Sequence, residues 1–246
     1  MSLAYSNTST KNGLLQLCEK NCLLGDGGIT SNATLKAQFT ADINLALDEV
    51  MATIFGVGGT WQFDDTNQTD YPIITTDLVL GQRDYSFTTD EAGNLILDIY
   101  RVLVKNPAGQ YSQIYPVDVS SGQAPMSYVD GLNTTGQPST YDKLANGIFL
   151  DPIPNYNATA GLKIYINREG SYFTTSDTTK KPGFAGLFHE YLALKPSYNY
   201  ASLNNLSTAT SLFQRMTQVK NDLIAYYQAR EKDVMKIIRP IRYSSR

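Results

Sequence analysis

Apolar residues recur at Leu35, Phe39, Ile43, Leu47, Val50 and Ile54, in steps of four and three that put one stripe on a single helix face. Ser31 or Asn32 stands where a side-chain oxygen accepts the free amide hydrogens of the first turn, and the glycines from Gly56 to Gly59 form a natural stop. Leu14, Leu15, Leu17 and Cys18 predict a shorter helix ahead of it, and Gly25-Asp26-Gly27-Gly28 supplies a turn that lets the two pack as a hairpin.

From Thr60 to about Asp177 the period changes to two. Tyr85 and Phe87 alternate with Asp84 and Ser86, and Leu162, Ile164 and Ile166 alternate with Lys163, Tyr165 and Asn167. Leu95 to Val104 is apolar on both faces, which suits a central strand. Turn material separates these runs, at Asn106-Pro107-Ala108-Gly109, Gly122 to Pro125, Gly136-Gln137-Pro138 and Asp151-Pro152-Ile153-Pro154. After Pro182-Gly183 helical spacing returns through Phe184, Leu187, Phe188, Tyr191, Leu192 and Leu194, until Pro196 is expected to bend or end the helix. A last helix, which Ser207 can cap, runs through Leu212, Met216, Val219 and Leu223 toward Ile238. At roughly 30 residues it would be about 45 Å long, more than a small globule requires.

The pattern predicts an α+β protein. Residues 1–59 and 178–238 are expected to form one helical bundle from the two ends of the chain. An antiparallel β-sandwich or barrel lobe is inserted at 60–177, and 239–246 is an extended C-terminal arm. No repeat of 20 to 50 residues (the solenoid range) interrupts this order.

Composition narrows the function. Asn, Thr, Ser and Gln account for 71 of 246 residues, while charged residues make up 17% against the roughly 25% of average proteins. Such a surface suits turn-rich β structure and contact with other proteins. The net charge of −3 argues against general nucleic-acid or membrane-surface binding, which draws on a basic field. No run of about 18 apolar residues is present, and the polar stretch from Met1 to Gly13 lacks a signal core. Asn-X-Ser/Thr triplets beginning at Asn7, Asn32, Asn67, Asn133, Asn157 and Asn205 read as coincidence in so Ser/Thr/Asn-rich a chain. Cys18 and Cys22, four apart on one helix face, read as apolar side chains without a disulfide.

Catalytic chemistry is not visible. His189 is the only histidine, so a two-His metal site cannot be assembled within one chain, and because no nucleophile motif stands nearby a packing or hydrogen-bonding role is expected for it. The carboxylates pair as sequence neighbours, Asp48 with Glu49, Asp64 with Asp65 and Asp90 with Glu91, and so do not face one another as glycosidase carboxyls must. The glycine clusters lack the preceding strand and following Lys-Ser/Thr of a phosphate cradle. No cofactor or metal is called for. Seventeen tyrosines and the single Trp61 would serve a sugar-binding face, although core and interface roles suit tyrosine as well.

The end of the chain carries the clearest charge pattern. Lys236, Arg239, Arg242 and Arg246 occur with no acid among the last eleven residues, interleaved with Ile237, Ile238, Ile241 and Tyr243. Pro240 must end the helix, leaving a short amphipathic basic tail suited to docking on an acidic neighbour.

Three segments resemble the head-to-tail adaptor proteins of tailed double-stranded DNA phages, the neck-ring family that includes tail tubular protein A. Ile99-Tyr100-Arg101-Val102-Leu103-Val104 is similar to the strand that opens the family's β lobe. Gly147-Ile148-Phe149-Leu150-Asp151-Pro152-Ile153-Pro154, followed by Leu162-Lys163-Ile164-Tyr165-Ile166, resembles its strand, proline turn and next strand. Pro182-Gly183-Phe184, then Phe188-His189-Glu190-Tyr191-Leu192-Ala193-Leu194 and Tyr200-Ala201, resembles its helical return, from which Pro196 departs. The similarity runs roughly from Leu35 to Ile238. It implies a non-enzymatic virion protein, assembled in the host cytoplasm into a ring in the neck, commonly a dodecamer. Its partners would be other copies of itself, the portal protein above and a tail or nozzle protein below, with double-stranded DNA passing through without sequence-specific binding and no membrane involved. By the same resemblance Lys236, Ile237, Ile238, Arg239, Ile241, Arg242, Tyr243 and Arg246 would form the portal-docking arm. Two other readings stand beside it: a glycan-binding β-sandwich module of tail-fibre or lectin type, and a glycosidase acting through carboxylates distant in sequence.

Overall fold

The computed structural model describes residues 2–58, 73–90, 93, 95–117, 134–144 and 147–229. The chain enters the core at once. Leu3 and Tyr5 are buried, and the Tyr5 and Ser6 amides donate to the carbonyls of Lys180 and Thr178 at 2.8 and 3.0 Å. Tyr5 stacks on Phe173 and shares a 2.6 Å hydrogen bond with the Thr40 hydroxyl.

Helix α1 (Leu14–Asn21) buries Leu14, Leu15 and Cys18. Its buried Glu19 shapes the turn that follows: one carboxylate oxygen accepts the Ile29 and Thr30 amides and the Thr30 hydroxyl at 2.8 to 3.0 Å. Gly25 and Gly27 have φ of 72° and 84° there, a backbone shape that side-chain-bearing residues rarely adopt. Helix α2 (Ala33–Gly58) starts at an Asn32 cap, whose side-chain oxygen accepts the Thr34 and Leu35 amides, each at 3.1 Å. Five of the six positions of its predicted stripe, Phe39, Ile43, Leu47, Val50 and Ile54, are buried, and Leu35 in the first turn is half-buried.

Among the described residues nine strands follow: β1 (Ile73–Leu78), β2 (Asp84–Ser86), β3 (Ile96–Lys105), β4 (Tyr111–Pro116), β5 (Thr135–Gly136), β6 (Thr140–Leu144), β7 (Gly147–Asp151), β8 (Ile153–Pro154) and β9 (Ala158–Arg168). Seven make one sheet in the order β1-β9-β3-β4-β6-β7-β2, and β5 and β8 form a short separate ladder. The sheet curls into half a barrel around its own core, in which Val102, Ile114, Ile148, Leu150, Leu162, Ile164 and Ile166 are buried. Each such side chain contributes roughly 1.5–3 kcal/mol of transfer free energy.

After β9, a 3-10 turn at Gly186–Phe188 leads into α3 (Tyr191–Leu203) and α4 (Ala209–Ala229). Helix α3 packs on α1, α2 and α4, and α2 also meets α4. One apolar core therefore joins residues from Leu3 to Ile54 with residues from Phe173 to Tyr227. A strap from the end of β9 ties the sheet to α2. The Gly170 amide approaches Met51 Sδ at 3.1 Å, Tyr172 donates its hydroxyl to Asp48 at 2.7 Å, and Asn44 exchanges two hydrogen bonds with the Phe173 backbone at 2.9 and 3.0 Å.

The structure corrects three expectations. The expected antiparallel sandwich or barrel lobe is a seven-stranded curled sheet, half a barrel, and it is mixed, because β4 and β6 run parallel. The connection between them, from Pro116 to Thr140, exceeds the dozen or so residues that a parallel crossover needs. Pro196 does not end its helix, which continues to Leu203. Proline removes one intrahelical bond, to Leu192, and the surrounding turns are held by burial of Leu192, Leu194 and Ser197 and by the Ser197 hydroxyl donating to the Ala193 carbonyl at 2.6 Å. Leu187, placed on the apolar face by periodicity, is 70% exposed, because the residues before Glu190 form the 3-10 turn and not helix. The last helix is described as far as Ala229, and its predicted extension toward Ile238 lies outside the described residues.

Candidate interaction surfaces

The groups with chemical potential are engaged structurally. His189 is fully buried: its Nδ1 accepts the Leu3 amide at 3.1 Å and its Nε2 lies 2.9 Å from the Phe184 carbonyl. A carbonyl only accepts, so Nε2 carries the hydrogen and Nδ1 is bare, which makes the ring a neutral bridge between two chain segments. Burial pushes the imidazole below the usual histidine value. Cys18 and Cys22 are free and buried, with their thiols directed at the Ala193 and Ser197 carbonyls of α3. Burial raises both, Cys22 to about 11, so neither is a thiolate nucleophile at neutral pH.

Of the neighbouring carboxylates, Asp48 accepts from Tyr172 whereas Glu49 meets Lys195 and Lys220, and Asp90 pairs with the largely buried Arg168 at 3.2 Å. Asp64, Asp65, Glu91 and Trp61 lie outside the described residues. Among the described residues, no group of three or more His, Cys, Asp or Glu side chains could hold a metal ion, and no helix is long and apolar enough to cross a membrane.

Glu49 is the electrostatic junction of three helices. Its carboxylate meets Lys220 of α4 at 2.5 Å and Lys195 of α3 at 3.3 Å, with the fully buried Tyr191 beside it. Burial opposes its ionisation, but the hydrogen bond and charge of Lys220 and the charge of Lys195 outweigh it and hold the carboxyl below its usual value. Burial and then the Glu49 carboxylate raise the Tyr191 phenol. These partners lie well over a hundred residues apart in sequence, so no local spacing signals them.

Two surfaces remain open on the helices. On α2, Gln38, Ala41 and Leu45 follow one another at steps of three and four on an outward face, with Leu45 66% exposed. Beside it, a groove of about 330 Å³ runs between α2 and α3, lined by Phe39, Asp42, Tyr200 and Leu203, the last 83% exposed. Burial raises the Asp42 carboxyl there. Helix α4 hides only the row Leu212, Met216, Val219, Leu223 and Tyr227, and carries exposed Phe213 against Tyr198 of α3. The portal-arm residues Lys236, Ile237, Ile238, Arg239, Ile241, Arg242, Tyr243 and Arg246 follow α4 in the chain and lie outside the described residues.

Tyrosines are unevenly distributed. Tyr5, Tyr85, Tyr141, Tyr191 and Tyr227 are core residues, while Tyr111 and Tyr115 face outward from the sheet. No protein-family model matches the chain, and no curated protein matches it.

Proposed function

We propose that the protein is a structural subunit of the phage neck, a head-to-tail adaptor that assembles as a ring between portal and tail and continues the DNA channel. The supporting observation is the helical surface. An isolated subunit gains nothing from leaving Leu45 and Leu203 beside an open groove and most of α4 in water, whereas a ring buries such faces between neighbours. In this reading the N- and C-terminal helices act as one bundle, the hub of the ring, and the curled sheet is the inserted lobe it carries. The engagement of His189, both cysteines and the carboxylates Asp48, Glu49 and Asp90 in packing and pairing supports a non-catalytic role.

The C-terminal segment is the portal-docking arm, four cations interleaved with apolar side chains that suit an acidic cleft. Deleting Lys236 to Arg246 is expected to leave the melting transition and the ring unchanged while abolishing co-sedimentation with portal. Undiminished portal binding refutes the arm. A full-length protein that stays monomeric in electron micrographs, with or without portal, refutes the ring.

A further inference from the structure

The outer face of the curled sheet, opposite its core, is divided by charge. On β9, β3 and β4, register places Arg101 beside Tyr165, and Lys105 beside Tyr111. The Arg101 guanidinium lies 5.4 Å from the Tyr165 ring centre, and the ammonium groups of Lys163 and Lys105 lie 4.6 and 5.8 Å from that of Tyr111. Among the described residues none of these three cations is paired with a carboxylate. Their contacts are ring faces and, for Lys105, the Thr159 carbonyl. Asp77, on the edge strand β1, is engaged by the Ala160 amide at 2.7 Å. Tyr115, 63% exposed, extends this basic and aromatic half toward the parallel seam.

Beyond the seam the sign reverses. Asp142 of β6, Phe149 of β7 and Asp84 of β2 stand in one cross-strand row on the outer face. Neither carboxylate has a cationic partner among the described residues, since the adjacent Lys143 turns to Asp98 of β3.

We propose that these two half-faces are the two sides of one contact, the basic half of one copy seated on the Asp142–Phe149–Asp84 row of the next. The proposal rests on the ring reading above and names a surface for it. With the two patches engaging different neighbours, the contact is heterologous, the kind that closes into rings. Opposite charges steer and orient the encounter, and Tyr111, Tyr115 and Phe149 supply rigid area at its centre. A second copy is favoured over nucleic acid, because the acidic row on the same outer face and the net charge of −3 both repel phosphate.

Charge reversal tests this in a way that misfolding cannot mimic. Arg101→Glu with Lys163→Glu, or Asp84→Lys with Asp142→Lys, should each weaken self-association in sedimentation by about tenfold or more through like-charge apposition. Mixing the two variants, or combining all four substitutions in one chain, should restore it. Rings that form equally well in both double variants, or no recovery in the mixture and the fourfold chain, overturn the proposal while leaving the ring reading intact. Binding of a DNA oligonucleotide that is lost with Arg101→Glu and Lys163→Glu while assembly is untouched assigns the face to nucleic acid and also overturns it. Wild-type protein that forms no oligomer at its highest soluble concentration removes the ring reading itself.

Discussion

Replacing His189 by leucine tests how the N-terminal segment is held. The imidazole satisfies the Leu3 amide on one side and the Phe184 carbonyl on the other, and it is fully buried. Leucine fills similar space but pairs with neither, and each of the two orphaned buried backbone groups costs about 1–3 kcal/mol, so the variant should lose about 2–6 kcal/mol. Acid produces a related loss in the wild type. Burial lowers the folded-state value, so between that value and the ordinary value of about 6.5 the unfolded chain binds the extra proton. The histidine's contribution is therefore complete above about pH 6.5 and declines as pH falls, by up to about 1.4 kcal/mol per pH unit, until the folded-state ring also protonates. With one histidine in the chain, this window is assigned to His189. Urea unfolding followed by circular dichroism at pH 7.5 and pH 5 should show a falling midpoint in the wild type and a much flatter response in His189→Leu. The protection factor of the Leu3 amide, its exchange rate corrected for the intrinsic pH dependence, should fall in the same window. A wild-type midpoint independent of pH over this range, or a leucine variant as stable as the wild type, refutes the bridge.

Glu49→Gln leaves Lys195 and Lys220 without their shared carboxylate. Because all three side chains remain about a third exposed, water screens the loss, and the expected destabilisation is about 1 kcal/mol by urea unfolding. The Glu49 contribution should fade only as pH drops below the ordinary glutamate value of about 4.3, a window separate from that of His189. Gly161→Ala places a methyl against the Leu78 side chain, 2.9 Å from the Leu78 amide nitrogen and 2.6 Å from the Ala158 carbonyl. Thermal melting should show a loss of about 1–3 kcal/mol, and an unchanged transition would mean that β1 and β9 are less closely apposed than described here.

Elements whose determinants are local were legible in the sequence. The α2 stripe is read from six apolar positions, its start from Asn32, and the core face of β9 from Leu162, Ile164 and Ile166, because periodicity and a neighbouring cap oxygen act within a few residues. Of the two outcomes expected at Pro196, ending the helix fails, since the loss of one hydrogen bond is a local cost that burial of α3 against α1 and α2 overrides. Two bulges in β3, between Ile96 and Asp98 and between Ile99 and Arg101, hide its alternation behind an apparently two-sided apolar run. The Glu49 junction, the β9 strap and the opposed charge rows of the sheet were illegible for one reason. Each joins side chains by register or packing across long chain separations, and a single sequence carries no mark of which strand lies beside which.

The strap between β9 and α2 makes the lobe's posture a property of one helix. Four anchors along Asn44, Asp48 and Met51 span two helical turns, so they resist rotation as well as separation. Leu45, on the outward side of the same stretch, is where a neighbour would press. A push there would swing the sheet like a paddle on its shaft, so that subunits locking helix to helix would also aim their sheets in unison.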